Sequence, residues 1–195
     1  MRKLTLLLLF CGGFLTVKSE SLRGYVITLD GKYISGTIEQ VNSSEFNVAV
    51  AFINDFGTIY HYNPALIKGF VYLKGNDQFV FESLYYQGRW IFLQLLYQGE
   101  EISLFKYPEI QVNWVIRGQQ VNSYSANQKT FWIKHDKKSL FVLKRKHFKN
   151  KFSRLIEEKA PELAQKIGKR GYRYQNLERI LAEYDEIITS KIKKI

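Results

Sequence analysis

The chain has 195 residues, 46% of them hydrophobic and 15% aromatic, with only three prolines and thirteen glycines; that composition supports a real core and excludes a disordered or low-complexity chain. Its 29 Lys and Arg against 18 Asp and Glu give a net charge of +11, and a single cysteine excludes a disulfide framework within the chain.

The first nineteen residues read as a secretory signal peptide. Arg2 and Lys3 precede an apolar run from Leu4 to Val17, broken by Thr5, Gly12, Gly13 and Thr16, and Lys18-Ser19-Glu20 follows. A short basic start, an apolar middle and a small residue at the exit are the anatomy of an export signal. The run is too short for a permanent spanning helix, which needs ~20 apolar residues. Val17 and Ser19 suit cleavage before Glu20, and a cut after Gly13 is the weaker site. Cys11 has two readings. It is discarded with the signal, or it is lipidated and becomes the new N-terminus; Phe10 before it is larger than lipoprotein signals prefer, which favours plain secretion. Cleavage after Ser19 leaves 176 residues, the size of one domain or a domain with an appendage.

Short strands follow at 8–12-residue spacing. Residues 23–29 and 32–40 flank Asp30-Gly31, a strong hairpin signal because Gly accepts the positive φ of the turn. Gly36, inside the second run, predicts a bulge or a close backbone approach. Phe46, Val48, Val50 and Phe52 alternate on one face, Asn54 to Gly57 turn the chain, and residues 58–62 return. Pro64 interrupts before residues 67–73; turns at 74–77 and Gln87-Gly88 lead into 78–84 and 90–97. Residues 102–107, 111–116, 132–135 and 140–143 complete the series, about ten strands in all, the pattern of an antiparallel sandwich, roll or barrel.

The period changes near residue 147. Phe148, Phe152, Leu155 and Ile156 recur at helical spacing, Pro161 suits a first helical turn, and Gly168 ends the helix that carries Leu163, Ala164 and Ile167. Leu177, Ile180, Leu181, Tyr184, Ile188 and Ile192 mark a longer amphipathic helix from about Tyr174, with its stripe expected to face a core. The expected fold class is therefore α+β: an antiparallel β-roll, open barrel or sandwich over residues 20–146, then a helical segment over 147–195 packed on it.

Charge divides at the same place. Residues 20–128 carry a net −3 and residues 129–195 a net +11. Lys144-Arg145-Lys146 with Lys149 and Lys151 put five cations into eight residues, and Lys169-Arg170 form a second group with Arg173, beside Tyr172 and Tyr174. These are the candidate ligand-binding residues. Basic residues interleaved with aromatics bind nucleic acid when the rings stack bases. Export argues against that partner, and Phe148 and Phe152, four apart, read better as one core face. An anionic envelope component or an acidic protein suits the compartment, with peripheral membrane contact as one form of it.

Searching for catalytic chemistry yields no candidate. His61, His135 and His147 lack a second ligand at metal spacing. No G-x-S-x-G elbow, phosphate loop or dinucleotide fingerprint is present, so no cofactor is expected. Glu100-Glu101 and Glu157-Glu158 are adjacent carboxylates of the solvated kind. Trp90, Trp114 and Trp132 come from three separate strands and read as packing residues rather than a sugar platform.

The stretches GYVITLDGKYISGTI, YNPALIKGFVY, IFLQLLYQGEEISLFKY and the tail FSRLIEEKAPELAQKIGKRGYRYQNLERILAEYDEII resemble a set of small exported proteins of Gram-negative bacteria whose function is unknown. The likeness spans nearly the whole mature chain. Its landmarks are structural: turn glycines such as Gly31 and Gly99, strand aromatics such as Tyr25 and Phe70, helix apolars such as Leu163 and Tyr184. It implies export and a β-then-α layout and supplies no catalytic residue. The expectation is an exported, non-enzymatic protein of the periplasm or outer membrane whose basic C-terminal face docks on an anionic partner. The alternative is a barrel-like enzyme or ligand-binding protein acting on an envelope polymer or a small apolar ligand.

Overall fold

A computed structural model describes residues 22–43, 48–108, 112–116, 119–123, 130–136 and 138–192. The export signal, Cys11 and Phe46 lie outside the described residues. The described residues form twelve strands: β1 (Leu22–Thr28), β2 (Tyr33–Ser43), β3 (Val48–Asn54), β4 (Ile59–Tyr62), β5 (Ile67–Lys74), β6 (Asp77–Tyr86), β7 (Arg89–Tyr97), β8 (Ile102–Lys106), β9 (Val112–Ile116), β10 (Gln119–Ser123), β11 (Phe131–His135) and β12 (Lys138–Leu143). A 3-10 turn at Arg145–His147 leads into α1 (Phe148–Ile156), followed by α2 (Pro161–Lys166), a second 3-10 turn at Tyr174–Asn176 and α3 (Leu177–Ile192). The fold is α+β, an antiparallel sheet followed by C-terminal helices. Ten strands share one sheet in the order β12-β11-β8-β7-β6-β5-β1-β2-β3-β4, and β9 and β10 pair separately. The sheet is not closed into a barrel.

The hairpins rest on local chemistry. Gly31 has φ 87°, and its N–H donates to the Thr28 carbonyl at 2.9 Å, closing a three-residue loop of the bulged type. The Asn54 side chain accepts from the N–H of Phe56 at 3.1 Å and of Thr58 at 2.8 Å, an Asx turn that Gly57 completes at φ 83°. Gly75, at φ 60°, opens the two-residue turn between paired Lys74 and Asp77. Gln87 (φ 46°) and Gly88 (φ 86°) both adopt positive φ between paired Tyr86 and Arg89, a type I′ turn. Gly36 shows the close approach expected of it: a Cβ there would meet the Phe52 ring at 2.6 Å. The bulge in β2 falls later, between Ile38 and Gln40.

Strand order forces the sheet to curl. β4 and β5 are separated by β3, β2 and β1, about 19 Å across a flat sheet at 4.7–4.9 Å per strand. Only Asn63 to Leu66 connect them, and a turn shortens that connection, the Leu66 N–H donating to the Asn63 carbonyl at 3.1 Å. The strands therefore wrap around a core of Val26, Ile38, Val50, Phe52, Ile67, Phe70, Phe81 and Phe92. Phe70 stacks on Phe81 at 4.5 Å and meets Phe92 edge-on at 5.1 Å, so aromatic rings fill this interior.

On the opposite face the second half of the sheet curls the other way. Lys134 of β11 lies 3.6 Å from Glu82 of β6, and Trp132 meets Tyr86 at 4.7 Å, although β7 and β8 lie between their strands. Leu93 and Phe105, paired onto that face, are completely buried.

The helices cover the outer side of this second curl. Ile102, Leu104, Ile133 and Leu143 join Phe148, Phe152, Ile156, Leu163, Ile167, Leu177, Ile180, Leu181, Tyr184 and Ile188 in one core. The expected α3 stripe thus faces inward, all its described members 5% exposed or less. α3 is about 24 Å long at 1.5 Å per residue. Among the described residues no helix is long and apolar enough to cross a membrane.

Candidate functional site

The cationic residues singled out in the sequence all lie at the surface of the helical layer. Lys144 follows β12 in extended conformation, Arg145 and Lys146 occupy the 3-10 turn, and Lys149 and Lys151 fall in α1. Burial of Phe148, Phe152 and Ile156, four residues apart, fixes the inward face of α1 and sends the lysines between them outward. Lys169 and Arg170 sit at the tip of a tight loop after α2. The Gly168 N–H closes that loop on the Tyr172 carbonyl at 2.7 Å, with Gly168 at φ 91° and Gly171 at φ 83°.

The fold brings Lys149 of the first group beside the second. The Lys149 side chain crosses Gly168, its Cδ 3.2 Å and its Cγ 3.4 Å from where a Cβ would stand. Lys149 therefore lays its aliphatic stem beside the loop that carries Lys169 and Arg170. All seven side chains are exposed. Among the described residues none of the seven forms an ion pair; the carboxylates of Glu82, Glu101 and Glu183 are taken by Lys134, Lys159 and Lys166.

The neighbouring aromatics belong to the core. Phe148 stacks on Phe152 at 5.6 Å and meets Tyr174 edge-on at 5.6 Å. Buried Tyr174 donates its hydroxyl to the Leu143 carbonyl at 2.6 Å and accepts from the Phe131 N–H at 2.9 Å; burial raises its phenol above the ordinary range. Tyr172 has Lys166 and Arg179 over its ring, each 5.3 Å from the centroid, and donates its hydroxyl to Glu183 at 3.3 Å. Phe148, Phe152 and Tyr174 are buried and not free to stack on a base.

A second polar region joins α3 to the β7–β8 connection, and it is invisible in the sequence because its partners lie 58 to 88 residues apart. Tyr184 donates its hydroxyl to Glu101 at 3.0 Å, and Lys159 pairs with the other oxygen of the same carboxylate. That lysine holds Glu101 below its ordinary range, while burial and the Glu101 charge push Tyr184 up. The next residue, Asp185, accepts from the Tyr97 hydroxyl at 2.7 Å; burial and this bond push Tyr97 up to about 12. An open groove of about 830 Å³ runs beside them, lined by Tyr97, Gly99, Glu100, Asp185, Glu186 and Ser190 among others. Asp185 Oδ1 is buried without a partner among the described residues.

His61 and His147 are exposed and His135 half-buried, on β4, the 3-10 turn and β11. No group of three or more His, Cys, Asp or Glu side chains able to hold a metal ion occurs among the described residues. Trp90, on β7, is exposed against Tyr85, Trp132 packs on Tyr86, and Trp114 lies on β9. A smaller groove of about 520 Å³ lies between Tyr85 and the β11–β12 hairpin. Comparison with protein-family models, curated proteins and solved structures finds no match to this chain.

Proposed function

We propose that this chain is an exported cell-envelope protein that works by docking on an anionic partner through the face formed by Lys144, Arg145, Lys146, Lys149, Lys151, Lys169 and Arg170. Residues 1–19 provide the export signal in this reading, with Cys11 discarded. The observation that carries it is that seven cations in two chain segments, which meet where the Lys149 stem crosses Gly168, are all exposed and form no ion pair among the described residues. Cations that exist only to solubilise a surface are normally interspersed with acids. Here Glu101 and Glu183 pair with Lys159 and Lys166 instead, and the seven cations remain exposed. The β-roll then serves as the rigid body that carries the helical layer.

Binding to isolated envelope fractions tests this reading. The processed protein should sediment with envelopes, and the variant with Lys144, Arg145, Lys146, Lys149 and Lys151 all changed to Gln should remain in the supernatant. Equal sedimentation of the two proteins contradicts the proposal.

A further inference from the structure

We infer that the partner of the cationic face is a planar anionic lipid surface; this deepens the docking reading above and rests on it. Three observations narrow the partner. First, five of the seven cations are lysines, compact point charges on flexible stems, which suit mobile headgroups better than the fixed bidentate geometry that arginine reads. Second, neither of the two grooves described above is lined by any of the seven, so neither would hold a small anion against them.

Third, Phe148, Phe152 and Tyr174, the aromatics interleaved with these cations, are buried at 6% exposure or less, so none of the three serves as a wedge for the bilayer or a platform for bases. The contact is therefore carried by the cations, spread over two adjoining elements. Such a contact is reversible and screened over ~10 Å at 0.1 M salt.

Cosedimentation with vesicles tests the inference. The full chain is expressed in a Gram-negative host, and its intact mass identifies the N-terminus. Vesicles are phosphatidylcholine alone or phosphatidylcholine with phosphatidylglycerol, and polyphosphate is the soluble polyanion. A retained apolar N-terminal run would bind both vesicle types, so the readout is the ratio between them.

A cation near an anionic surface is worth roughly five-fold in partitioning. The five-Gln variant should therefore lose on the order of a hundred-fold or more of the preference for anionic vesicles, even with partial engagement. Lys68→Gln with Lys74→Gln, on β5, should leave it unchanged. Salt-sensitive binding to polyphosphate that the five-Gln variant loses, without preference for anionic vesicles, overturns the lipid inference and keeps the docking reading. Binding to neither removes both. Equal loss in the β5 variant also overturns the inference, since net charge rather than this face would then be responsible.

Discussion

Changing Glu101 to Gln tests how the helical layer is fastened to the sheet. The side chain keeps its shape but loses its charge, and two contacts weaken together: the Lys159 ion pair and the hydrogen bond from Tyr184. Lys159 is 40% exposed, so solvent screening leaves that pair only about 0.5 kcal/mol. Tyr184 is 1% exposed. Its hydroxyl passes from a charged acceptor, worth about 1.5–3 kcal/mol, to a neutral one at about 0.5–1.5 kcal/mol.

The sum is about 1–2 kcal/mol, or roughly 2–8 °C in Tm for a domain of this size. Because Lys159 and Tyr184 hold the Glu101 carboxyl below its ordinary value of 4.5, the wild-type advantage is present above that value. It disappears as pH falls through the lower folded value. Urea unfolding followed by circular dichroism at neutral and acidic pH measures both. A difference under about 0.3 kcal/mol at neutral pH, or one that persists unchanged in acid, would refute the clasp.

Three further outcomes follow from the geometry. Phe152→Ala empties a site 1% exposed at the junction of α1 with the shared core; it should cost about 3–5 kcal/mol and lower both the helical and the strand signals in one transition. Separate transitions would show that the helices do not share that core. Gln87→Asn should stabilise by about 0.5–1 kcal/mol, since Gln87 is the one described non-glycine residue at positive φ, a conformation Asn tolerates better; an unchanged denaturation midpoint argues against the I′ turn. The five-Gln variant of the cationic face should unfold within about 0.5 kcal/mol of wild type, because its side chains are exposed. A larger loss would mean those cations are structural.

Where local chemistry decides, the sequence was readable. Asp30-Gly31, Asn54 to Gly57, Lys74 to Asp77 and Gln87-Gly88 announced four turns through residues that accept positive φ or cap their own backbone. The α3 stripe announced its buried face in the same way. β10 has no such local signature: its residues, QQVNS, carry neither alternation nor β-branched richness. The placement of β5 beside β1 was equally hidden, since long-range pairing has no local signature and follows from the curl around Phe52, Phe70 and Phe81.

The same distinction applies to the sites. Clustering in sequence exposes the cations of α1, and the turn at Gly168 sets the Lys169-Arg170 loop beside Lys149. Glu101, Tyr184, Tyr97 and Asp185 met only through folding. The interleaved aromatics show the converse: their spacing allowed a stacking role, and packing against Tyr174 assigned them to the core.

The salt dependence of binding to isolated envelopes tests the central claim most directly. For wild type the logarithm of the binding constant should fall steeply and linearly with the logarithm of salt concentration, and the slope should become much shallower when the five cations of α1 and its approach are changed to Gln. A flat salt profile, or the same slope in both proteins, would contradict a docking function for this face.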